Sequence, residues 1–175
     1  MRPVFDCSSK TPRRLDNSGG RCLNDAMCKG RAMSLNLIRM LLRFIIGTHA
    51  ISADLKQFYN CFRLVEEHWH LQLFLWKENM DPDSETTVAV VKTLIYGNKS
   101  SAPQTEEGMR QFANHLQKID PKLADFFTEC RFVDDLNSSE ASELDCDSLQ
   151  TRAEEALNSL GVQTKGWGKS GEHPS

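Results

Sequence analysis

The chain has 175 residues, 39% of them hydrophobic and 26% charged, with a net charge of −3. That is enough chain and apolar content for one ordinary folded domain with a core. No apolar run approaches the ~18 residues a membrane span needs, and no apolar leader opens the sequence, so the expectation is an intracellular protein without a membrane. The six cysteines, at 7, 22, 28, 61, 130 and 146, follow no C-x-x-C pattern and read as reduced thiols. Cys22, Cys28 and His49 match no common zinc spacing.

Charge is unevenly spread. Residues 1–47 hold nine Lys/Arg against three Asp, a net +6, which leaves −9 for the rest. A basic first quarter can meet phosphates and an acidic remainder can hold cations, although a solvated charged face has the same composition.

Residues 2–6 read as a short extended segment and 7–33 as loop, rich in Ser, Gly, Lys and Arg. Ser34 is placed to cap a helix running to about Phe44. Leu35, Ile38, Leu41, Leu42 and Ile45 make its expected buried stripe, and Gly47 its stop. His49 to Leu55 reads as a strand with Ile51, Ala53 and Leu55 on one face. Trp69 to Trp76 and Thr86 to Tyr96 are expected to pair as a hairpin about the turn in 77–85.

Residues 97–103 read as loop, and Gln104 to Lys118 as a helix with Met109, Phe112, Ala113 and Leu116 inward. Asp120-Pro121 is a cap with proline at the first helical position. Cys130 to Val133 is a strand leading into Asp134-Asp135 and a return. An acidic helix over 147–160 stops at Gly161, and the Gly/Lys/Ser-rich tail from Lys165 is expected to be disordered. The order implies an α+β fold, with helices on one face of a mostly antiparallel sheet.

The chemistry lies in the acids. Asp54 ends an apolar strand, and Asp134-Asp135 sit at a hairpin tip. Alone, the first is more often a turn cap and the second more often a polar β-turn. Together they are the set that a two-metal site requires: hard oxygen donors from separate elements, converging on ions ~4 Å apart.

Several boxes then line up in order. Phe132-Val133-Asp134-Asp135 resembles the aromatic-x-Asp-Asp box of reverse transcriptases, and Ala53-Asp54-Leu55 through Phe62 resembles the preceding metal-binding box. Arg2 to Lys10 and Leu23-Asn24-Asp25 resemble the fingers motif of BEL/Pao LTR retrotransposons. So do Leu41-Leu42-Arg43-Phe44, Phe74-Leu75-Trp76 and the Gly-Ser-Pro-like loop Tyr96 to Pro103.

The resemblance implies the fingers and palm of a right-hand polymerase: residues 1–47 as partial fingers, 48–164 as the palm with a fingers insertion, and 165–175 as a tail. It implies an RNA-directed DNA polymerase fragment that transfers nucleotides onto a primer 3′-hydroxyl. Asp54, Asp134 and Asp135, with the Leu55 carbonyl, would hold two Mg²⁺ or Mn²⁺ ions. Arg2, Tyr59, Gly97, Ser100 and Ser101 would contact the nucleotide, Tyr59 against the ribose 2′-position; its competing reading is a core aromatic. The implied partners are an RNA or DNA template with primer and deoxynucleoside triphosphates. The implied setting is the cytoplasm or a retroelement particle, with the rest of a polyprotein missing.

Two departures stand out. The run Gln104-Thr105-Glu106-Glu107 is polar where an aromatic follows the proline in the family, and Gly166 stands where a lysine is expected, which weakens Lys165 as a proton donor. The alternatives are an inactive retroelement remnant that keeps the fold and a non-catalytic metal-binding module.

Overall fold

The structure, a computed structural model, describes residues 5–12, 20–31 and 37–171. It divides into two compact units: residues 1–30 with 59–101, and residues 31–58 with 102–175. The chain therefore leaves the second unit after the Asp54 strand and returns to it.

The second unit is built on a four-stranded antiparallel sheet ordered β4-β5-β1-β6: β1 His49–Leu55, β4 Arg131–Phe132, β5 Asp135–Glu140 and β6 Thr164–Lys169. β1 lies between β5 and β6, pairing Ala53 with Leu136 on one side and Trp167 on the other. Directly opposed residues share a face, so Ile51, Ala53, Leu136, Ser138 and Trp167 point one way. Ser52, Asp54, Asp135, Asn137 and Gly168 point the other. The first set is the core face: Ile51, Leu55 and Leu136 are at most 1% exposed.

α4 (Pro121–Glu129) and α5 (Glu143–Ser159) supply buried Phe126, Phe127, Leu149, Ala153 and Leu157, and Phe126 stacks on Trp167 at 6.4 Å. α3 (Ser101–Leu116) buries Met109, Ala113 and Leu116, with Phe112 half-buried against Phe127 at 5.2 Å. α4 begins as its sequence indicates. The Asp120 carboxylate accepts from Leu123 N–H at 3.0 Å and pairs with Arg152 at 2.6 Å.

Three expectations about this unit change. Residues from Lys165 are not a disordered tail: through Lys169 they form β6, because β1 offers an open edge to pair with. The apolar stripe of α2 (Leu37–Phe44) is not buried. Ile38, Leu41, Leu42 and the following Ile45 are 48–72% exposed, and Met40 is the buried residue. Ser34 and Leu35 lie outside the described residues. Gly47 does not cap this helix but passes against the Glu140 backbone, where a Cβ would come within 2.6 Å of Glu140 N.

In the first unit, β2 (Leu73–Lys77) and β3 (Thr86–Val90) form the expected hairpin, shorter than the apolar runs suggest. Glu66–Gln72 is 3₁₀-helical rather than strand. There the Trp69 indole N–H donates to Leu64 O at 3.1 Å, and the Gln72 amide donates to Val91 O and Thr93 O. The Trp69 bond is local, five residues back, whereas the Gln72 bonds reach 19 and 21 residues along the chain to the backbone that follows β3. α1 is a single turn, Leu23–Ala26. Helix α3 starts at Ser101, inside the segment expected to be loop.

Candidate active site

Asp54 and Asp135 are direct register partners across β1 and β5, on the polar face of the sheet. Phe132 pairs with Asp135, so Val133 and Asp134 form a two-residue turn at the tip of the β4–β5 hairpin. The turn is held at both carbonyls: Val133 O accepts from Arg131 Nη1 at 2.6 Å, and Asp134 O accepts from Leu55 N–H at 2.8 Å. Val133 has φ of 56°. A β-branched residue is costly in that region, where a tight hairpin turn ordinarily carries glycine or asparagine. The strain sits beside the acids, as strain at functional sites commonly does.

Asp135 feels its neighbours. Loss of solvent, followed by the charges of Asp134 and Asp54, pushes the Asp135 carboxyl above the ordinary aspartate range, while the Lys165 ammonium opposes the rise. Lys165, delivered by β6, lies 2.6 Å from Asp54 Oδ1. That oxygen is shielded from solvent and accepts no hydrogen bond of good geometry; the ammonium is a close counter-charge.

The donors are hard oxygens, which suits Mg²⁺ or Mn²⁺, and Asp54 Oδ1 already meets a cationic group, the Lys165 ammonium. Among the described residues, however, no three His, Cys, Asp or Glu side chains are already gathered as a metal cluster. Lys165 supplies positive charge at that place instead.

Arg2 falls outside the described residues. Tyr59, Gly97, Ser100 and Ser101 belong to the first unit, not to the unit of the carboxylates. Tyr59 is half-buried and meets Tyr96 edge-on at 4.4 Å. Gly97, at φ of 89°, passes so near Phe5 O that a Cβ would lie 2.7 Å from it, and its own carbonyl accepts from the Asn24 amide at 2.9 Å. Ser100 N and Oγ both donate to Asn98 Oδ1. Ser101 is 1% exposed and its hydroxyl donates to Ile95 O at 2.8 Å, so its side chain is committed to the loop.

The sequence reading undervalued Lys165 and passed over Arg131 and Glu106. Arg131 stands directly before the Phe-Val-Asp-Asp box, yet it is 2% exposed and bonded in a fork to Glu106 at 2.6 and 2.9 Å. The polar run after Pro103 was the available signal: Glu106 is polar because a buried guanidinium needs it.

Among solved structures, the chain is similar to the foamy viral protease–reverse transcriptase in complex with an RNA/DNA hybrid. The TM-score is 0.62 over 82% of this chain, at 14% identity. This shows a reverse-transcriptase-like fold. The match spans 17% of that chain, so the present sequence corresponds to a small part of it. No family model matches the sequence. No curated protein matches it either. Among the described residues, no helix is long and apolar enough to cross a membrane.

Proposed function

We propose that this chain is part of an RNA-directed DNA polymerase of the BEL/Pao retrotransposon type, its four-stranded unit acting as the palm. The observation that carries this reading is the pairing of Asp54 with Asp135 beside a strained two-residue turn that bears Asp134. The fold likeness to a reverse transcriptase whose structure holds an RNA/DNA hybrid supports it and supports a primer–template as the partner.

Asp54, Asp134 and Asp135, with the Leu55 carbonyl, would hold two Mg²⁺ or Mn²⁺ ions. The chemistry supplied by such ions, when bound, would be to lower the pKa of a primer 3′-hydroxyl and to neutralise charge on a triphosphate. The chain's own part is to fix the acids. β1 holds Asp54 between two paired strands, and the β4–β5 turn holds the doublet. Lys165, 2.6 Å from Asp54 Oδ1, supplies a positive charge beside these acids and would compete with an ion for that oxygen. In the first unit, Tyr59 would stand against the ribose 2′-position and exclude ribonucleotides sterically. The loop of Gly97, Ser100 and Ser101 would approach the nucleotide by its backbone.

The test is Mn²⁺ titration of the 175-residue chain beside Asp54→Asn/Asp134→Asn, with primer extension on poly(rA)·oligo(dT). We expect measurable Mn²⁺ affinity that the double variant loses, and weak, salt-sensitive extension that Asp134→Asn abolishes. Equal Mn²⁺ affinity in the two proteins overturns the reading.

A further inference from the structure

We infer that Arg131 is a positioning residue for the carboxylate turn, acting through a buried ion pair with Glu106. The inference rests on the metal-binding reading of Asp54, Asp134 and Asp135. It goes further in naming what holds that site in shape.

Arg131 is among the largest fully buried side chains of the chain, and a buried guanidinium is expensive unless each of its donors is used. Here it makes four hydrogen bonds. Nη1 and Nη2 fork onto the two Glu106 oxygens from α3, at 2.9 and 2.6 Å. Nε donates to Phe127 O near the end of α4 at 3.4 Å. Nη1 donates again to Val133 O, at 2.6 Å. The guanidinium also lies 5.7 Å from the Phe58 ring centroid, close enough for cation–π attraction. Glu106 is itself 14% exposed, so the pair is sheltered from screening solvent.

The bond to Val133 O links this pair to the acids. Val133 sits at positive φ, and nothing about valine favours that conformation. Left alone, the turn would relax toward negative φ and carry Asp134 and Asp135 with it. Two contacts oppose this: Leu55 N–H on Asp134 O, and Arg131 on Val133 O. The first is an ordinary sheet bond. The second is charge-assisted, and it is anchored to two helices that do not belong to the sheet. Arginine is needed for this, because a lysine ammonium cannot fork onto a carboxylate and reach a separate carbonyl in the same plane.

A merely structural ion pair and a positioning one differ in what restores the site. The full chain is compared with Arg131→Met/Glu106→Leu, which removes both charges and leaves no orphan, and with the same variant carrying Val133→Gly. Glycine adopts positive φ freely, so it supplies by conformational preference what Arg131 supplies by a bond. Circular dichroism reads the fold and Mn²⁺ titration reads the site.

We expect the double variant to fold and to bind Mn²⁺ at least about tenfold more weakly, the usual scale for loss of a group that orients metal ligands. Addition of Val133→Gly should recover most of that loss. Should the double variant fail to fold, Arg131→Lys carries the same comparison, with and without Val133→Gly. Wild-type affinity without Arg131 overturns the inference, and so does a weakened affinity that Val133→Gly leaves unimproved. If the wild type itself binds no Mn²⁺, the metal reading fails and this inference falls with it.

Discussion

β1 and β2 are both short apolar strands, and they meet opposite environments. β1 has a paired strand on each side and buries every second residue, Ile51, Ala53 and Leu55. β2 has β3 as its partner in a two-stranded sheet and leaves Leu73, Leu75 and Trp76 42–72% exposed. A two-stranded ribbon is marginal by itself, whereas a central strand over a packed core can open only with that core. Asp54 sits on the central strand that is backed by the core. The metal-binding role proposed for it would call for such a rigid mount.

This contrast can be broken most directly in the cores. Leu136→Ala, opposite Ala53 and 0% exposed, should cost about 2–5 kcal/mol in denaturant unfolding. A loss well under 1 kcal/mol would mean that the four-stranded sheet is not the stable element. Gly47→Ala forces a methyl group into the Glu140 backbone and should cost about 1–3 kcal/mol, read as a lowered melting temperature. An unchanged melt would show that the close approach of these segments does not persist in solution.

Asp120→Ala removes the cap of α4 and half of an ion pair with Arg152. It should cost about 1–2 kcal/mol, checked by the same melts, and an effect near zero would mean that α4 is held by its aromatic face alone. A smaller effect is expected at the half-exposed Lys165. Lys165→Gln removes the competing cation beside Asp54, so Mn²⁺ should bind a few-fold more tightly, in keeping with an exposed ion pair worth about 1 kcal/mol or less. Weaker binding would show Lys165 helping to hold the ion's partners instead. The smallest change belongs to the ribbon: Leu75→Ala, at 72% exposure, should alter stability by no more than about 0.5 kcal/mol. A large loss would show that this face is covered in solution.

Much of the core strand, and the places of Asp54 on it and of Asp134 in a hairpin turn, was legible from the chain itself. The alternation in His49–Leu55 predicts both strand and buried face, because side chains in extended chain alternate and only one side of this sheet is apolar. Asp120-Pro121 announces α4, since capping is local chemistry. The two acidic boxes could be read because turn position and residue type are also local.

What the sequence could not decide is whatever depends on a partner far along the chain. Thr164–Lys169 contains Gly166 and Gly168 and has little strand preference of its own; it is a strand because β1 has an edge to offer. The α2 stripe has helical spacing, but periodicity shows that a face is apolar and not that anything covers it. Arg131 and Glu106 lie 25 residues apart, and each alone reads as a surface charge. Only the packing of α3 and α4 against the hairpin removes them from water. Once there, the high cost of an unpaired buried charge forces them into one bond network with the Val133 carbonyl.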